Sequence, residues 1–590
     1  MAKAPPKKPK APDPTEIEVP YLLHELPTAQ HKAGLAGLLL QIDSMNERKA
    51  AGQLPPTVMV PEVVARSAAG ATVRFTAPSV QDLFDDLYMA TVEEAKSATR
   101  WPGAEIKREE IDPAAKPGDP KRKFVYDVVE PTGPFLRRYL DDSKESWHKL
   151  WRNMLWQVTR GRPTTRTPFN TRAKGEPTKE GGETWAELLK EDRARPAGKH
   201  RMVEVAGAIM LGAQAINAEL VGFEDRADHA LLLHFWMLTV RVFVPEVIDT
   251  EGRRKAVGFV LAMPDVADLV AFNRAYVRLL GELRPEVRGY RPAGAMISLP
   301  EQGPLEFMSN LDRIAARVAV EERPAKNLAG IEFFHMLPAG NNVKLMAHGR
   351  IPPVDRLLTM YSGIRDSCSN PLLLSCRLLA GLRGEPWYSQ LVDPLAERPW
   401  WYFVHATPER TRTPFDMAGF AHEIQDRFEM IRTNVIKREE ADLADIHPGP
   451  EIVDRLIYEM VGTYVKNLAR RKKYGSPDVE GPAGDTAEER RDVCSKLFLE
   501  LRSRNDDDFV RHFTATLGSV HQWLRDDDYL AVSAALMRPF TDATGEDRPR
   551  TREDVKTLTL LALSAHSRSL KRRDDAPANA PASTDQESSS

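Results

Sequence analysis

The chain has 590 residues, 42% of them apolar, and a formal net charge of −3. That length suggests about two to four domains, and the near-neutral balance excludes a globally basic nucleic-acid binder, so any such surface must be local. Cys368, Cys376 and Cys494 follow no metal spacing and fit a reducing cytoplasm. The most apolar stretch, His229–Val244, is interrupted by His234 and Arg241, which argues against a membrane span.

Taken in order, residues 1–19 combine lysine and proline with no apolar segment behind them and read as a solvated tail, not a signal peptide. In LPTAQHKAGLAGLLLQIDSM, Thr28 is a helix cap, and Leu35, Leu38, Leu39, Ile42 and Met45 form one helical stripe. Another face reads Gln30, Gly34, Gly37, Gln41, Ser44. Two mid-helix glycines cost about 2 kcal/mol relative to alanine, so another backbone or a ligand must approach that face. His31 and Lys32 stand at its start. Strands are expected at Thr57–Ala65 and Ala71–Ala77, a helix from Ser79 through Lys96, a loop at Pro113–Pro120, and a strand in KFVYDVVEP. Residues 20–200 thus read as an α+β domain.

Residues 144–174 stand apart, with eight basic side chains against the single acid Glu145, and with Trp147, Trp151 and Trp156 among them. The tryptophans at helical spacing read as core. The following RGRPTTRTPFNTRAKG reads as a basic loop whose Arg160, Arg162, Thr164, Thr165, Arg166, Arg172 and Lys174 suit phosphate contacts. The competing reading makes these arginines a plain surface cover.

A second α+β domain is expected over 201–415. It has a helix at Val203–Val221, strands at Leu231–Val247 and Lys255–Met263, a helix at Val266–Leu283, and a hairpin Gly330–Leu337/Val343–Arg350. The hairpin turn Pro338-Ala-Gly-Asn-Asn holds residues that tolerate positive φ. Strict alternation puts Lys344, His348 and Arg350 on one face, a cationic strand or a solvated one. Asn341 and Asn342, with Lys344, supply amides for base edges, although turn asparagines also serve the turn itself.

From about Phe415 the texture is helical: Met417–Ala441, Glu451–Lys473, Thr486–Arg504, Asp508–Leu524, Tyr529–Pro539 and Arg552–Ser569. They make a bundle over 416–570, followed by a solvated tail at 571–590. Lys466, Arg470, Arg471, Lys472 and Lys473 crowd one helix end, more cations than the macrodipole needs. The triplets Asp506–Asp508 and Asp526–Asp528 read as helix starts, not metal sites. Among the catalytic motifs sought, no P-loop, G-x-S-x-G elbow, H-E-x-x-H or zinc spacing occurs, and the 14 histidines are scattered singly. The reading is a binding protein without catalytic residues, metal or cofactor. The alternative is a metal-dependent nucleic-acid-processing enzyme with a carboxylate site that spacing does not reveal.

LPTAQHKAGLAGLLLQIDSM, IEFFHMLPAGNNVKLMAHGR, DFVRHFTATLGSV and VKTLTLLALSAHS, in this order along most of the chain, resemble the large subunit of type I CRISPR effector complexes (Cascade), particularly its MYXAN-subtype form. The resemblance implies a cytoplasmic antiviral assembly of crRNA, a repeated backbone subunit and a 5′-handle-capping subunit. In it the large subunit recognises the motif flanking the target (PAM) in double-stranded DNA and helps open the duplex. It then recruits a helicase-nuclease. The division between base pairing and protein readout parallels that of single-protein RNA-guided effectors. The helical region would correspond to a bundle resembling the small subunit.

Overall fold

The computed structural model describes residues 14–567 apart from 102, 112–121, 140–145, 159–162, 207–208, 212–221, 249–253, 283–291, 319–326, 340–341, 405–416, 441–449, 483, 521–525 and 540–544. The architecture is α+β, with a helical carboxyl-terminal region. It divides into one compact unit of Met1–Val247 with Ala256–Thr359 and another of Ile248–Lys255 with Met360–Ser590.

The first unit is assembled on helix α1 (Ala29–Ala50). Thr28 caps it, its Oγ1 accepting from the His31 amide at 3.4 Å. Leu35, Leu38, Leu39, Ile42 and Met45 are completely buried. The glycine face meets another backbone, as the helix-propensity cost required. A Cβ on Gly34 would stand 2.2 Å from the Leu232 carbonyl oxygen, and one on Gly37 would stand 2.2 Å from that of Phe235. On the same face Gln30 donates to the Ile209 carbonyl (2.5 Å) and accepts from the Leu211 amide (3.0 Å). His31 Nε2 bonds Asp225 (2.6 Å) and Lys32 Nζ bonds Asp265 (2.9 Å), so both side chains serve the fold.

Around α1, strands β1 (Glu16–Leu22), β2 (Glu62–Ser67) and β3 (Gly70–Thr76) form an antiparallel sheet in the order β1-β3-β2. β1 begins inside the segment read as a tail because Ile17, Val19 and Tyr21 alternate inward. Helix α2 (Ala77–Leu87) starts at a Thr76–Ser79 capping box and stops short of the expected Lys96. The remainder is β4 (Ala90–Ser97), paired with β6 (Arg122–Pro131), whose other edge carries β5 (Arg108–Ile111). The helix-favouring EEAK of β4 is held extended by cross-strand pairs such as Arg108–Glu94 (2.6 Å) and Lys96–Glu110 (2.6 Å).

Then come α3 (Pro134–Tyr139), α4 (Ser146–Val158), α5 (Pro163–Ala173) and α6 (Lys179–Ala194). β7 (Met202–Glu204) pairs with β8 (Glu224–Arg226), so the helix expected from Val203 does not start there; residues 212–221 lie outside the described ones. The strand expected over Leu231–Val247 divides into the end of α7 (Ala227–Leu232), a tight turn at Trp236–Leu238, and β9 (Arg241–Ile248). From Leu231 to Pro245 every residue except His234 is buried, which removes the periodicity that tells helix from strand. β9, β10 (Phe259–Val266), β11 (Leu328–Ala339) and β12 (Asn342–Ile351) follow one another across an antiparallel sheet. α1 and α9 (Gln302–Val318) pack on β10, while α8 (Leu269–Glu282) packs on α1 and α9.

α10 (Asp355–Ser367), α11 (Pro371–Arg383) and α12 (Val392–Glu397) lead into the helical region. Asn370 before Pro371 caps α11 through the Leu372 and Leu373 amides (both 3.1 Å), and Gly384 ends it at φ +66°. α13 (Met417–Glu440), α14 (Glu451–Tyr474), α15 (Ala487–Arg502), α16 (Asp506–Val520) and α17 (Asp526–Met537) all contact α18 (Arg552–His566). α18 is buried from Thr557 to Ala565, hydrophobic on every side as a central helix must be. Both aspartate triplets occupy first helical turns, where the macrodipole favours them. The three cysteines are buried free thiols.

Candidate nucleic-acid interface

The basic segment after α4 is a helix, α5, with Pro168 inside it, not the expected loop. Arg160 and Arg162 lie outside the described residues, and Thr164 and Thr165 sit in the first turn of α5. The Arg166 guanidinium lies 4.3 Å from the Trp156 ring and donates to the Trp156 carbonyl at 3.0 Å. Arg172 donates to the backbone carbonyls of Asp85 (3.1 Å) and Glu176 (2.8 Å). Trp151 is buried, its Nε1 donating to the Met237 carbonyl at 3.2 Å, so the core reading of that tryptophan holds. Arg166 and Arg172 thus pin helices together, whereas Lys174 is exposed.

At the hairpin, Asn341 lies outside the described residues and Asn342 pairs with Ala339 at the base of the turn. The expectation that Lys344, His348 and Arg350 share a face fails because a bulge at Met346 shifts the register. Lys344 opposes Leu337, whereas His348 and Arg350 oppose Phe334 and Glu332 on the other face. His348 stacks on Phe334 with ring centroids 4.6 Å apart. Arg350 is tied to Asp265 (2.6 Å) and the Ala329 carbonyl (2.8 Å).

The helical region offers a different arrangement. Glu459, Gly462, Thr463, Lys466, Arg470 and Tyr474 succeed one another along α14 and line a cavity of roughly 750 Å³. Glu429 and Arg432 from α13, Gly481, Pro482, Gly484 and Thr486 from the next loop, Arg490 from α15 and His566 from α18 complete it. Arg432 is committed to Glu429 and Glu459, both at 3.2 Å. Arg470 reaches Glu480 at 3.2 Å. Beyond the cavity, Lys472 pairs with Asp492 (2.6 Å) and Lys473 with Asp485 (2.7 Å). Such exposed pairs are screened by water and yield readily to a phosphate. Lys466 and Arg471 are exposed and make no ion pair with any described residue.

Sequence reading missed Arg490. Its Nε is buried without a hydrogen bond, no carboxylate among the described residues pairs with it, and burial lowers its pKa. The Tyr458 hydroxyl donates to Glu429 at 3.0 Å, and its ring is stacked between Phe428 (4.7 Å) and His566 (4.3 Å). Burial pushes the His566 pKa down to about 4, so its ring is neutral and Nε2–H donates to the Tyr458 carbonyl at 2.9 Å. Gly462 leaves room for that ring: a Cβ there would lie 2.6 Å from His566 Cε1. Among the described residues no group of three or more His, Cys, Asp or Glu is placed to hold a metal, and no helix is long and apolar enough to cross a membrane.

Residues 60–320 match the family model for the type I-B CRISPR Cas8b N-terminal domain, and residues 328–566 match that for the Cas8b C-terminal domain. The chain belongs to the type I CRISPR large-subunit family. The matched models name the I-B form, not the MYXAN form that the sequence segments resemble. No individual curated protein matches it. The Cas8b C-terminal match begins at Leu328, so that family domain takes in the β11–β12 hairpin together with the helices, and it contains every residue lining the α14 cavity.

Proposed function

We propose that this chain is the non-catalytic large subunit of a crRNA-guided DNA-targeting complex, working in the cytoplasm with a backbone subunit and a subunit that caps the crRNA 5′ handle. It recognises the flanking motif in double-stranded target DNA, contacts the crRNA and the opened strands, and recruits a helicase-nuclease. The supporting observation for strand contact is the α14 end, where Lys466 and Arg471 make no ion pair with described residues and Lys472 and Lys473 have only exposed partners. Counterion release from a strand makes such cations worth more against phosphate than against a surface carboxylate. Lys174, Arg172 and Arg166, with Arg160, Arg162, Thr164 and Thr165, form a second backbone-contact region in this proposal. Asn341 and Asn342, with Lys344, are the proposed readers of the flanking motif, and Arg350 is a proposed phosphate-backbone contact.

Co-expression with the backbone subunit and a crRNA tests the reading: a stoichiometric ribonucleoprotein that retains target DNA is expected, and recovery of the chain alone without RNA overturns it. Incubating the purified chain with labelled DNA and Mg²⁺ or Mn²⁺ tests the non-catalytic assignment, which EDTA-sensitive cleavage would overturn. The finer MYXAN-like assignment predicts preference for that subtype's repeat handle over an I-B handle in the same reconstitution.

A further inference from the structure

A guanidinium withdrawn from water needs an anion, since a buried charge without a partner is strongly unfavourable. Two arginines of the helical unit show how this requirement is met. Buried Arg550 holds Asp454 at 2.8 and 3.1 Å, and Arg548 forks onto Asp554 at 2.7 and 2.8 Å. Arg490 departs from it, with a buried Nε that has no acceptor and no carboxylate partner among the described residues. It borders the α14 cavity, where exposed Lys466 also has no ion-pair partner among the described residues. The two carboxylates that line the same space, Glu429 and Glu459, are already engaged by Arg432, and Glu429 also accepts from Tyr458. The cavity therefore holds two uncommitted cations and carboxylates that are both committed.

The remaining lining narrows the ligand. Both faces of the Tyr458 ring are covered, so it offers no platform for a base. Gly462, Thr463, Gly481, Gly484 and Thr486 give a wall of small side chains and hydroxyls, the kind that lets phosphate oxygens come close. We propose that this cavity is a phosphate-binding site in which Arg490 and Lys466 hold the oxygens of a phosphoryl group. A nucleic-acid backbone and a free nucleotide share that chemistry. A strand as the source rests on the function proposed above, since α14 continues from the cavity to exposed Arg471; the phosphoryl site itself does not.

The test uses the full-length chain and the variants Arg490→Gln and Lys466→Gln. Anisotropy is read with a fluorescent oligothymidine, with an abasic strand of equal length and with competing dTMP, and melting is followed with and without inorganic phosphate. Both variants are expected to lose about tenfold in strand affinity, as removal of one charged hydrogen bond implies, with the abasic strand bound as well as oligothymidine. Phosphate should raise the melting temperature of the wild type but not of Arg490→Gln. Without phosphate, Arg490→Gln should melt at the same temperature or higher, because it removes an uncompensated charge. If dTMP competes at the strand's own affinity, the source is a free nucleotide and the strand assignment falls while the site stands. Unchanged affinity for strand, dTMP and phosphate in both variants overturns the site, as does a lower melting point of Arg490→Gln with its ligand binding intact. Lys466 is exposed, so its variant keeps the test readable if Arg490→Gln does not fold. None of these measurements needs crRNA or another subunit, so failure to assemble a complex is read separately.

Discussion

Replacing Gly37 with alanine sets two known effects against each other. In an open helix the change stabilises by about 1 kcal/mol through propensity. Here the new methyl would stand 2.2 Å from the Phe235 carbonyl oxygen, well inside the 3.0 Å that real Cβ contacts respect. The obstacle is backbone, and it cannot rotate away. The adjoining chain is also held, by Thr239 Oγ1 donating to the Ala33 carbonyl at 3.1 Å and Asn273 Nδ2 donating to the Ala36 carbonyl at 3.3 Å. Overpacking against a fixed neighbour costs about 1–3 kcal/mol, and the tethers put this site at the upper end. The expected net loss is about 2 kcal/mol once the propensity gain is subtracted. Gly34→Ala meets Leu232 in the same way, and the double variant should fall short of additivity because both methyls push one segment. Gly182→Ala, which meets nothing within 4 Å, is the control and should be neutral or stabilising. Urea denaturation with peptide-resolved hydrogen exchange over α1 measures the effect. Gly37→Ala unfolding at the same or a higher urea concentration than wild type would refute the close-approach argument.

Other consequences can be checked in the same material. Asp454→Asn strands Arg550 inside the helical unit, since the pair is nearly inaccessible on both sides, and should cost about 3–5 kcal/mol in urea unfolding. A loss below about 1 kcal/mol would mean that the pair is dispensable. Burial pushes His234 and His566 each down to about 4, so the unfolded chain binds the extra protons between about pH 6.5 and 4 and stability rises with pH across that window, fully present above it. Each ring contributes up to about 1.4 kcal/mol per pH unit. His566→Gln should flatten the slope, and an unchanged slope in melting temperature against pH rejects the assignment. Neutralising Lys466 and Arg471 should weaken strand binding for all sequences alike and reduce the magnitude of the logarithmic salt slope by about 1 per contact, read from salt titrations. Loss confined to one sequence would show that they read bases instead.

Local signals carried far in this chain. The helices from Met417 onward were legible from periodicity, and their structural counterparts start and stop within a few residues of expectation. The hairpin was legible because its turn chemistry leaves few alternatives, and α1 because its leucine stripe and Thr28 cap agree. Where an element was misread, a distant partner had outweighed local preference. β4 is extended because β6 and the arginine of β5 hold it there, and the Trp236–Leu238 turn interrupts a run whose uniform burial erased its period.

The cationic site divides along the same line. Lys466 and Arg470 to Lys473 stand out in the sequence because a charge run is a property of neighbours along the chain. Whether each charge is already satisfied is a property of neighbours in space. Arg172 and Arg350 are held by Asp85 and Asp265, far away in sequence, and the bulge at Met346 turns Lys344 away from His348, a displacement no alternation pattern predicts. Arg490 sits in AEERRDVC, where surrounding acids make it look compensated; packing half-buries it beside α14, its Nε enclosed, with no carboxylate partner among the described residues. The sequence alone determined that Gly34 and Gly37 required a close neighbour, because the propensity cost is paid within the helix itself. Only the tertiary structure decided that the neighbour is the Leu232–Phe235 backbone and that Arg490 meets no carboxylate among the described residues, because both facts depend on which surfaces exclude water from one another.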